Sequence, residues 1–335
     1  STINPARVVI GGTATYNGTT AVGTLTATGV NGETLQISGA IGTMGSANAG
    51  TNSITGLSSG GLLTAGGSNP GNPANYTLVN PSFGTVSVSP AAISVTASQA
   101  IKSYDSSTTT SGTNVSLAPT PLLVSGTLFG GDVLSSVSTV YGDPNAGAGN
   151  KTLTVSNAQI INGANSATAN YTISYIANTT STITPASLTL SGISAAAKVY
   201  DGSTSTIPGS LTGNIVLNGL FTGAAVALSG AITSGTYATA NAGAAIALTP
   251  DLSGLTLTGP DAANYAITGL STPLLATITP RPLSGAIVGN PAMVYNATTL
   301  NSKLGTANFS LNGFVAGEGG AINLTTADYN TPNVT

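Results

Sequence analysis

The amino-acid sequence predicts an all-β protein, a tandem array of antiparallel, Ig-like β-sandwich modules of about 95 residues each. The stretch Lys198–Thr204 recurs in altered form around Tyr16, Tyr104 and Tyr295, so successive tyrosines lie 88, 96 and 95 residues apart. This period is too long for a solenoid rung and fits a small domain. Short alternating runs separated by turn residues favour a sandwich, and no stretch shows helical periodicity.

Prolines mark the predicted module boundaries. Four prolines, Pro5, Pro90, Pro185 and Pro280, each end a run in which polar and β-branched residues alternate, with the sequence Ile-Thr-Pro or a close variant. Another such run follows each of them directly. Proline cannot donate to a β ladder and is favoured between two strands. We therefore expect modules that are joined stiffly, each closing its own apolar core. The predicted units are a closing strand of a preceding module at 1–5, complete modules at 6–90, 91–185 and 186–280, and an incomplete module at 281–335.

Inside each module the landmarks follow one order. A Tyr-Asx turn comes first, then alternating strands, and then a Gly-rich bend in which glycine permits a positive φ and a following acid caps the turn. The acid ends the bend in three copies, as Glu33, Asp132 and Glu318, and is replaced by Ala224 in the other. An Asn-Ala-Gly turn follows at Asn48, Asn145 and Asn241, and then an Asn-Tyr strand at Tyr76, Tyr171 and Tyr265.

The three tyrosines of the Asn-Tyr strands are interpreted as core residues. In sandwiches such rings often pack inward and hydrogen-bond their hydroxyl groups across a corner of the module. The alternative is stacking against sugars, which would make the chain a polysaccharide-binding module. The sequence leaves both interpretations open for Tyr76, Tyr171 and Tyr265.

The amino-acid composition limits which binding partners the chain can have. Charged residues make up 4% of the chain and the net charge is -3, so no basic patch is available for nucleic acid or an anionic membrane. Hydrophobic residues make up 41%, enough to form a buried core. No apolar run approaches the roughly 20 residues of a membrane-spanning helix. The remaining candidate partners are other copies of the chain and surface polysaccharide.

Catalysis is not predicted. The chain has no histidine and no cysteine, and only nine carboxylates and six lysines or arginines. Asp251 and Asp261 flank a Gly-rich segment, but calcium takes about six to eight oxygen ligands and no Asp-rich cluster is present. The bend acids belong to separate modules and are not expected to form a dyad. We therefore predict no enzyme activity, no cofactor and no metal site.

Two lysines are predicted to pair with the aspartates of the Tyr-Asx turns, because each lies three residues before one. Lys102 lies three residues before Asp105, and Lys198 lies three residues before Asp201. Both members of the pair are replaced together in the other copies, as Ala14 with Asn17 and Met293 with Asn296. This pattern predicts a partly buried, structural ion pair. The alternative is a covalent lysine cross-link, which cannot be general because residues 1–101 contain no lysine.

These motifs together resemble the YDG repeats and related Gly-rich β modules of bacterial surface proteins, which occur in filamentous-haemagglutinin-like adhesins exported by two-partner secretion. Residues 186–280 match best and 91–185 next, whereas the outer copies carry Asn in place of the signature Asp, and Ala297 replaces its Gly. The signature residues are Tyr16, Asn17, Gly18, Tyr104, Asp105, Tyr200, Asp201, Gly202, Tyr295 and Asn296. The resemblance implies a non-catalytic, extracellular stalk or fibre of a large adhesin, which presents or spaces a binding tip, and supplies no ligand-binding residue.

Several alternatives remain at the level of sequence. The fourth copy reaches Thr335 before its Asn-Tyr and Ile-Thr-Pro strands; we expect the chain to continue, the alternative being strand exchange between copies in a self-assembling filament. A continuous β-helix would need rungs of about 20 to 30 residues, which the repeats do not show. Asn-x-Ser/Thr sequons, frequent by chance in such a composition, occur for example at Asn17, Asn75, Asn150 and Asn170.

Overall fold

The computed structural model describes residues 1–289, 294–295, 297 and 305–323. The regular secondary structure of the described residues is almost entirely β-strand, which confirms the all-β fold class, and the chain folds into two compact units, Ser1–Ala186 and Ser187–Thr335. The only helices in the described part are 3-10 turns at Val30–Gly32, Pro73–Asn75, Thr168–Asn170, Ala262–Asn264 and Thr306–Asn308. Accordingly, no described helix is long and apolar enough to cross a bilayer.

The first module of unit 1 is a single folded sheet. Its strands are β1 Ala6–Thr15, β2 Ala21–Val22, β3 Leu25–Thr28, β4 Thr34–Ser38, β5 Gly42–Met44, β6 Gly50–Leu57, β7 Leu62–Ala65 and β8 Tyr76–Ser89. They are ordered β2-β5-β6-β8-β1-β3-β4-β7, and every pair is antiparallel except β1 with β8. Apolar residues from both halves of the sheet, including Ile10, Leu35 and Ile54, meet in the core.

The second module of unit 1 repeats this plan in two sheets. Its strands are β9 Ala91–Ala97, β10 Ile101–Ser103, β11 Val115–Leu117, β12 Pro121–Ser125, β13 Val133–Tyr141, β14 Gly147–Asn162, β15 Asn165–Ser166, β16 Tyr171–Tyr175 and β17 Asn178–Thr184. One sheet is ordered β12-β9-β16 and the other β11-β10-β17-β14-β13, with β15 on β14. The opening strands β9 and β10 again pair parallel with the late strands β16 and β17.

Unit 2 has the same topology in its third module. The strands of the third module are β18 Ala186–Ser191, β19 Ser194–Ala195, β20 Lys198–Val199, β21 Leu211–Thr212, β22 Val216–Asn218, β23 Ala227–Gly230, β24 Gly235–Tyr237, β25 Gly243–Pro250, β26 Leu255–Thr258, β27 Tyr265–Leu270 and β28 Leu274–Thr279. The fourth module contributes β29 Ser284–Ile287 and β30 Phe309–Asn312. The sheets are β22-β18-β27, β20-β28-β25-β24, β19-β21 and β23-β26, and β29 pairs with β30. Here too β20 is parallel to β28.

The structure differs from the sequence expectation in one respect of packing. We expected each module to close its own core, but in unit 1 one apolar cluster runs from the first module into the second. The reason lies at the signature turn, because the Tyr16 ring packs edge-on against Tyr171 at 5.3 Å and against Phe129 at 6.2 Å between ring centroids. Aromatic pairs of this kind stabilise the contact beyond their buried area. The two modules are therefore packed together rather than merely linked.

Candidate functional site: the signature turn and the junction it makes

A buried lysine organises the signature turn of the second module. Lys102 is fully buried, and its Nζ donates to Asp105 Oδ1 at 2.6 Å, to the Ser107 carbonyl at 2.9 Å and to the Thr109 carbonyl at 3.2 Å. The ammonium also lies 5.8 Å from the centre of the Tyr141 ring. A buried charge is tolerated only when it is paired and hydrogen-bonded, and these contacts meet that condition.

The third module builds the same site. Lys198 is 1% exposed, and its Nζ donates to Asp201 Oδ1 at 2.8 Å, to the Ser203 carbonyl at 2.7 Å and to the Ser205 carbonyl at 3.0 Å. The Tyr237 ring centre lies 5.3 Å away. The geometry in both modules is that of a structural ion pair that fastens the turn to the end of the preceding strand.

The first module keeps the turn without the charge. Asn17 Oδ1 accepts from the Thr19 N–H at 3.0 Å, just as Asp105 Oδ1 accepts from the Ser107 N–H at 2.9 Å. A neutral amide needs no counter-ion, so an alanine can replace the lysine at position 14. The pair Met293 with Asn296 lies outside the described residues.

The lysines also set the acidity of their partners. Although burial by itself raises the pKa of Asp105, the hydrogen bonds from Lys102 and Ser107 bring that pKa below its ordinary value. In the more exposed third module, the hydrogen bond from Lys198 lowers the pKa of Asp201 to about 2. Both aspartates are therefore ionised at neutral pH.

Acid should weaken the third module through Asp201. Because the pKa of Asp201 is about 2 in the folded state and 3.8 ordinarily, the unfolded chain takes up this proton first as the pH falls. The contribution of the carboxylate is complete above about pH 4 and is lost as the pH falls towards about 2. Urea unfolding of the native chain and of Asp201→Asn should therefore differ in free energy at pH 5 and converge near pH 2. A difference that does not change with pH would contradict this linkage.

The junction between the first two modules is centred on a buried carboxylate. Asp132 is 7% exposed, and its Oδ2 accepts from the hydroxyl groups of Tyr16 and Tyr171, each at 2.8 Å. Its Oδ1 accepts from Asn162 Nδ2 at 2.9 Å. Burial, and next the Asp132 carboxylate, raise the pKa of Tyr16, and burial is also the main cause of the raised pKa of Tyr171. Both hydroxyl groups thus stay protonated and act as donors.

A second set of contacts joins the same two modules. Asn170, which precedes the tyrosine of the Asn-Tyr strand, is buried and accepts from the Ala49 N–H at 2.9 Å through Oδ1. Its Nδ2 donates to Asn48 Oδ1 at 3.1 Å. The Asn-Ala-Gly turn of one module and the Asn-Tyr strand of the next are therefore the two halves of one interface.

The signature glycine permits the modules to approach closely. Gly18 has a φ of +72°, and a Cβ added there would lie 2.5 Å from the backbone nitrogen of Gly130 in the next module. The three signature positions thus have separate roles in this structure. The tyrosine donates to the next module, the Asx residue caps the turn, and the glycine removes the side chain that would separate the two backbones.

Gly18→Ala should destabilise unit 1 more than Gly32→Ala. The two glycines have nearly the same φ, +72° and +74°, so the backbone strain of an alanine is matched. A Cβ at Gly32 would meet nothing within 4 Å, whereas at Gly18 it would clash with the Gly130 backbone. We expect about 1 kcal/mol of lost stability for Gly32→Ala and about 2 kcal/mol more for Gly18→Ala, measured by urea unfolding. Equal losses would mean that the close approach is not needed.

The tyrosines of the Asn-Tyr strands face the interior. The hydroxyl groups of Tyr76, Tyr171 and Tyr265 accept from the first N–H of the Gly-rich bend in their own module, at 3.0, 2.8 and 3.2 Å. All three residues are buried. Each strand is thereby fastened to the bend across a corner of the sandwich. Tyr76 also donates to Glu33, the bend acid of the first module.

Unit 2 repeats the tyrosine–acid contact between its two modules. The hydroxyl of Tyr200, the signature tyrosine of the third module, donates to Glu318 of the fourth. A Cβ at Gly202 would approach Val315, the first residue of the same bend, to 3.0 Å. The signature turn therefore contacts the bend of the following module in both units.

The remaining candidates do not gather into a site. Asp251 accepts from the Ser253 N–H of its own turn at 3.0 Å, whereas Asp261 accepts from the N–H of the distant Ala225 at 2.8 Å, so each carboxylate has a structural role. Across the described ranges, no group of three or more possible metal ligands occurs. Sequence reasoning missed the pair of Lys151 with Asp143, 2.5 Å apart, and the role of Asp132 as an acceptor for a neighbouring module.

The comparisons with known proteins find one repeated domain in this chain. The model of the YDG domain matches residues 89–181 and again residues 184–272, which together make up more than half of the chain. No curated protein and no solved structure is significantly similar to this chain. On the strength of the two matches, the chain belongs to the YDG domain family.

Proposed function

We propose that this chain is a non-catalytic stalk segment of a secreted bacterial surface adhesin of the filamentous-haemagglutinin-like type, exported by two-partner secretion. Its task is to hold a binding tip away from the cell surface and to carry the tension when the tip is bound. The observation that carries the proposal is the parallel pairing of an early strand with the closing strand in each of the first three modules, namely β1 with β8, β10 with β17 and β20 with β28.

Parallel pairing determines how a module resists tension. In the first module β1 and β8 are paired from Ala6 with Tyr76 to Thr15 with Ser89. Tension that enters at the start of β1 and leaves at the end of β8 pulls the two strands past each other. The hydrogen bonds between them are then loaded together rather than one after another. This is the arrangement that a load-bearing spacer requires.

The junction in unit 1 supports the same role. Only Pro90 separates β8 from β9, and Asp132 and Asn170 tie the second module to the first through side-chain hydrogen bonds. A linker of one residue combined with a buried contact limits bending. The alternative of sugar stacking is less well supported, because the rings of Tyr76 and Tyr171 are buried.

Single-molecule stretching tests the proposal. The chain contains no cysteine, so handles can be attached through introduced thiols. With Ala6→Cys and Ser89→Cys, β1 and β8 are sheared, and the rupture should release a contour length of about 300 Å. With Thr15→Cys and Ser89→Cys the same two strands are peeled apart from one end, and the rupture force should be several-fold lower. Equal forces in the two geometries would remove the argument for a load-bearing stalk.

Scattering of the whole chain gives a second check. A compact domain of this length has a radius of gyration of about 20 Å, from the general dependence of size on chain length. A row of modules should clearly exceed that value. A value near 20 Å would contradict a spacer function.

A further inference from the structure

The turn between β13 and β14 carries an ion pair that the first and third modules lack. Asp143 Oδ1 lies 2.5 Å from the Nζ of Lys151, whose side chain is 9% exposed. The same oxygen accepts from the Asn145 N–H at 3.0 Å. In the first and third modules the equivalent N–H, that of Asn48 or Asn241, donates to a hydroxyl group at 3.1 Å. A hydroxyl group is therefore sufficient for this turn, and the turn itself does not require a carboxylate and a lysine.

The surroundings of Lys151 differ from those of the two signature lysines. The Nζ atoms of Lys102 and Lys198 each donate to an aspartate, to a serine hydroxyl and to two backbone carbonyls. Among the residues that the structure describes, Asp143 Oδ1 is the single hydrogen-bond acceptor of the Lys151 ammonium. A buried ammonium with one acceptor contributes little to stability, because several contacts are needed to offset the burial of a charge. Chemistry between Lys151 and Asp143 explains the pair better than stability does.

The residue after Asp143 is Pro144, and this is the one Asp-Pro bond in the sequence. The first and third modules have Ala47 and Ala240 at this place. A bond to proline is a tertiary amide, whose nitrogen leaves as a basic secondary amine once it is protonated. The hydrogen bond from Lys151 is the main cause of the lowered pKa of Asp143, so the carboxylate is ionised at neutral pH and can act as a nucleophile. The ammonium beside it is a proton donor.

We propose that this turn is a self-processing site, at which the bond between Asp143 and Pro144 breaks and Asp143 becomes joined to Lys151 by an isopeptide bond. Asp143 Oδ2 attacks the main-chain carbonyl carbon of its own residue, the Lys151 ammonium gives one proton to the Pro144 nitrogen, and the C–N bond breaks to leave a five-membered cyclic anhydride. The neutral Lys151 amine then attacks Cγ, and the anhydride opens to release the α-carboxylate of Asp143. The proton that the new amide loses passes to the Pro144 amine. No water is consumed, so the product has the same atoms as the original chain.

Water is the competing nucleophile at the anhydride. The Asp143 side chain is 52% exposed, so water can reach it, but the Lys151 amine already contacts the group that it attacks. A reactant that is held in contact has a large advantage over one that must diffuse in. The cross-link keeps β13 joined to β14 after the main chain is broken. This inference goes beyond the proposed stalk function and does not depend on it.

Mass spectrometry and amino-terminal sequencing of the full chain, directly after purification and after incubation at neutral and mildly acidic pH, test the proposal. The intact mass should stay unchanged, while a second amino terminus with the sequence Pro-Asn-Ala-Gly appears. Trypsin should release one branched peptide, in which residues 103–143 are attached to residues 144–198 at an uncleaved Lys151. Lys198 is the internal control, because its partner Asp201 is followed by glycine; trypsin should cleave after Lys198 as usual.

Two variants separate the steps of the reaction. Lys151→Arg keeps a cationic proton donor but removes the nucleophilic amine, so water should open the anhydride and two separate fragments should form. Pro144→Ala restores the residue that the first and third modules have at this place, and should abolish both the branched product and the fragments. A native chain that gains no amino terminus at Pro144, or one that only separates into two fragments, would overturn the proposal. So would a branched product that persists in Pro144→Ala.

Discussion

Asp132→Ala should lower the free energy of unfolding of unit 1 by about 3 kcal/mol or more. The substitution leaves the hydroxyl groups of Tyr16 and Tyr171 without their acceptor in a buried place. Each buried donor without a partner costs about 1 to 3 kcal/mol. For a unit of this size the expected fall in melting temperature is about 6 to 12 °C. Calorimetry of the whole chain, with the transition of unit 2 as an internal reference, measures it.

Two further variants distinguish the contribution of the junction between modules from that of the tyrosine contact inside one module. Tyr16→Phe removes only the donor that comes from the first module, and should cost about 1 to 2 kcal/mol. Glu33→Ala removes the acid at the equivalent place in the first module, where Tyr76 donates to it. That variant should cost clearly less than Asp132→Ala. If the two alanine variants were equally stable, Asp132 would have no special role between the modules.

Lys102→Met should cost about 3 to 5 kcal/mol, the usual range for breaking a buried ion pair on one side. The partner, Asp105, has a side chain that is only 16% exposed, so little water can replace the ammonium. Lys198→Met should cost less, because the Asp201 side chain is 42% exposed. Urea unfolding of each variant, followed by circular dichroism, provides the measurement.

The double variant tests whether the pair acts as a unit. Lys198→Met combined with Asp201→Asn restores a neutral turn like that of Asn17 in the first module. It should be more stable than Lys198→Met alone, although the carbonyls of Ser203 and Ser205 still lose their donor. A double variant as unstable as the single one, or less stable, would refute the coupling between Lys198 and Asp201.

Local patterns in the sequence predicted much of the fold. Alternation and turn residues indicated the β class, and the spacing of the boundary prolines anticipated where strands such as β9 and β18 begin. The pairing of Lys102 with Asp105 was accessible because both lie within four residues on one turn. The hydrogen bond of the Tyr171 hydroxyl across a corner of the module could be predicted because β-sandwiches often contain such a contact.

The interface between modules could not be inferred in the same way. Tyr16 and Asp132 are 116 residues apart. The local sequence already accounts for each of them, because Tyr16 belongs to a Tyr-Asx turn and Asp132 can cap a Gly-rich bend. Nothing in either motif specifies that the acid of one copy faces the tyrosine of the copy before it. The parallel pairing of β1 with β8 was missed for a related reason, because alternation predicts a strand but not its direction.

The signature turn at one end of a module and the Gly-rich bend at the other have consequences for how such genes change. A copy that carries both parts can be inserted or deleted without any new complementary surface having to arise. Gly18 and Gly130 limit such insertions and deletions, because a side chain at either position would crowd the backbone of the neighbouring module. Recombination between repeats therefore changes the length of the protein by whole modules, and each new joint that pairs a signature tyrosine with a bend acid keeps the contact seen between Tyr16 and Asp132.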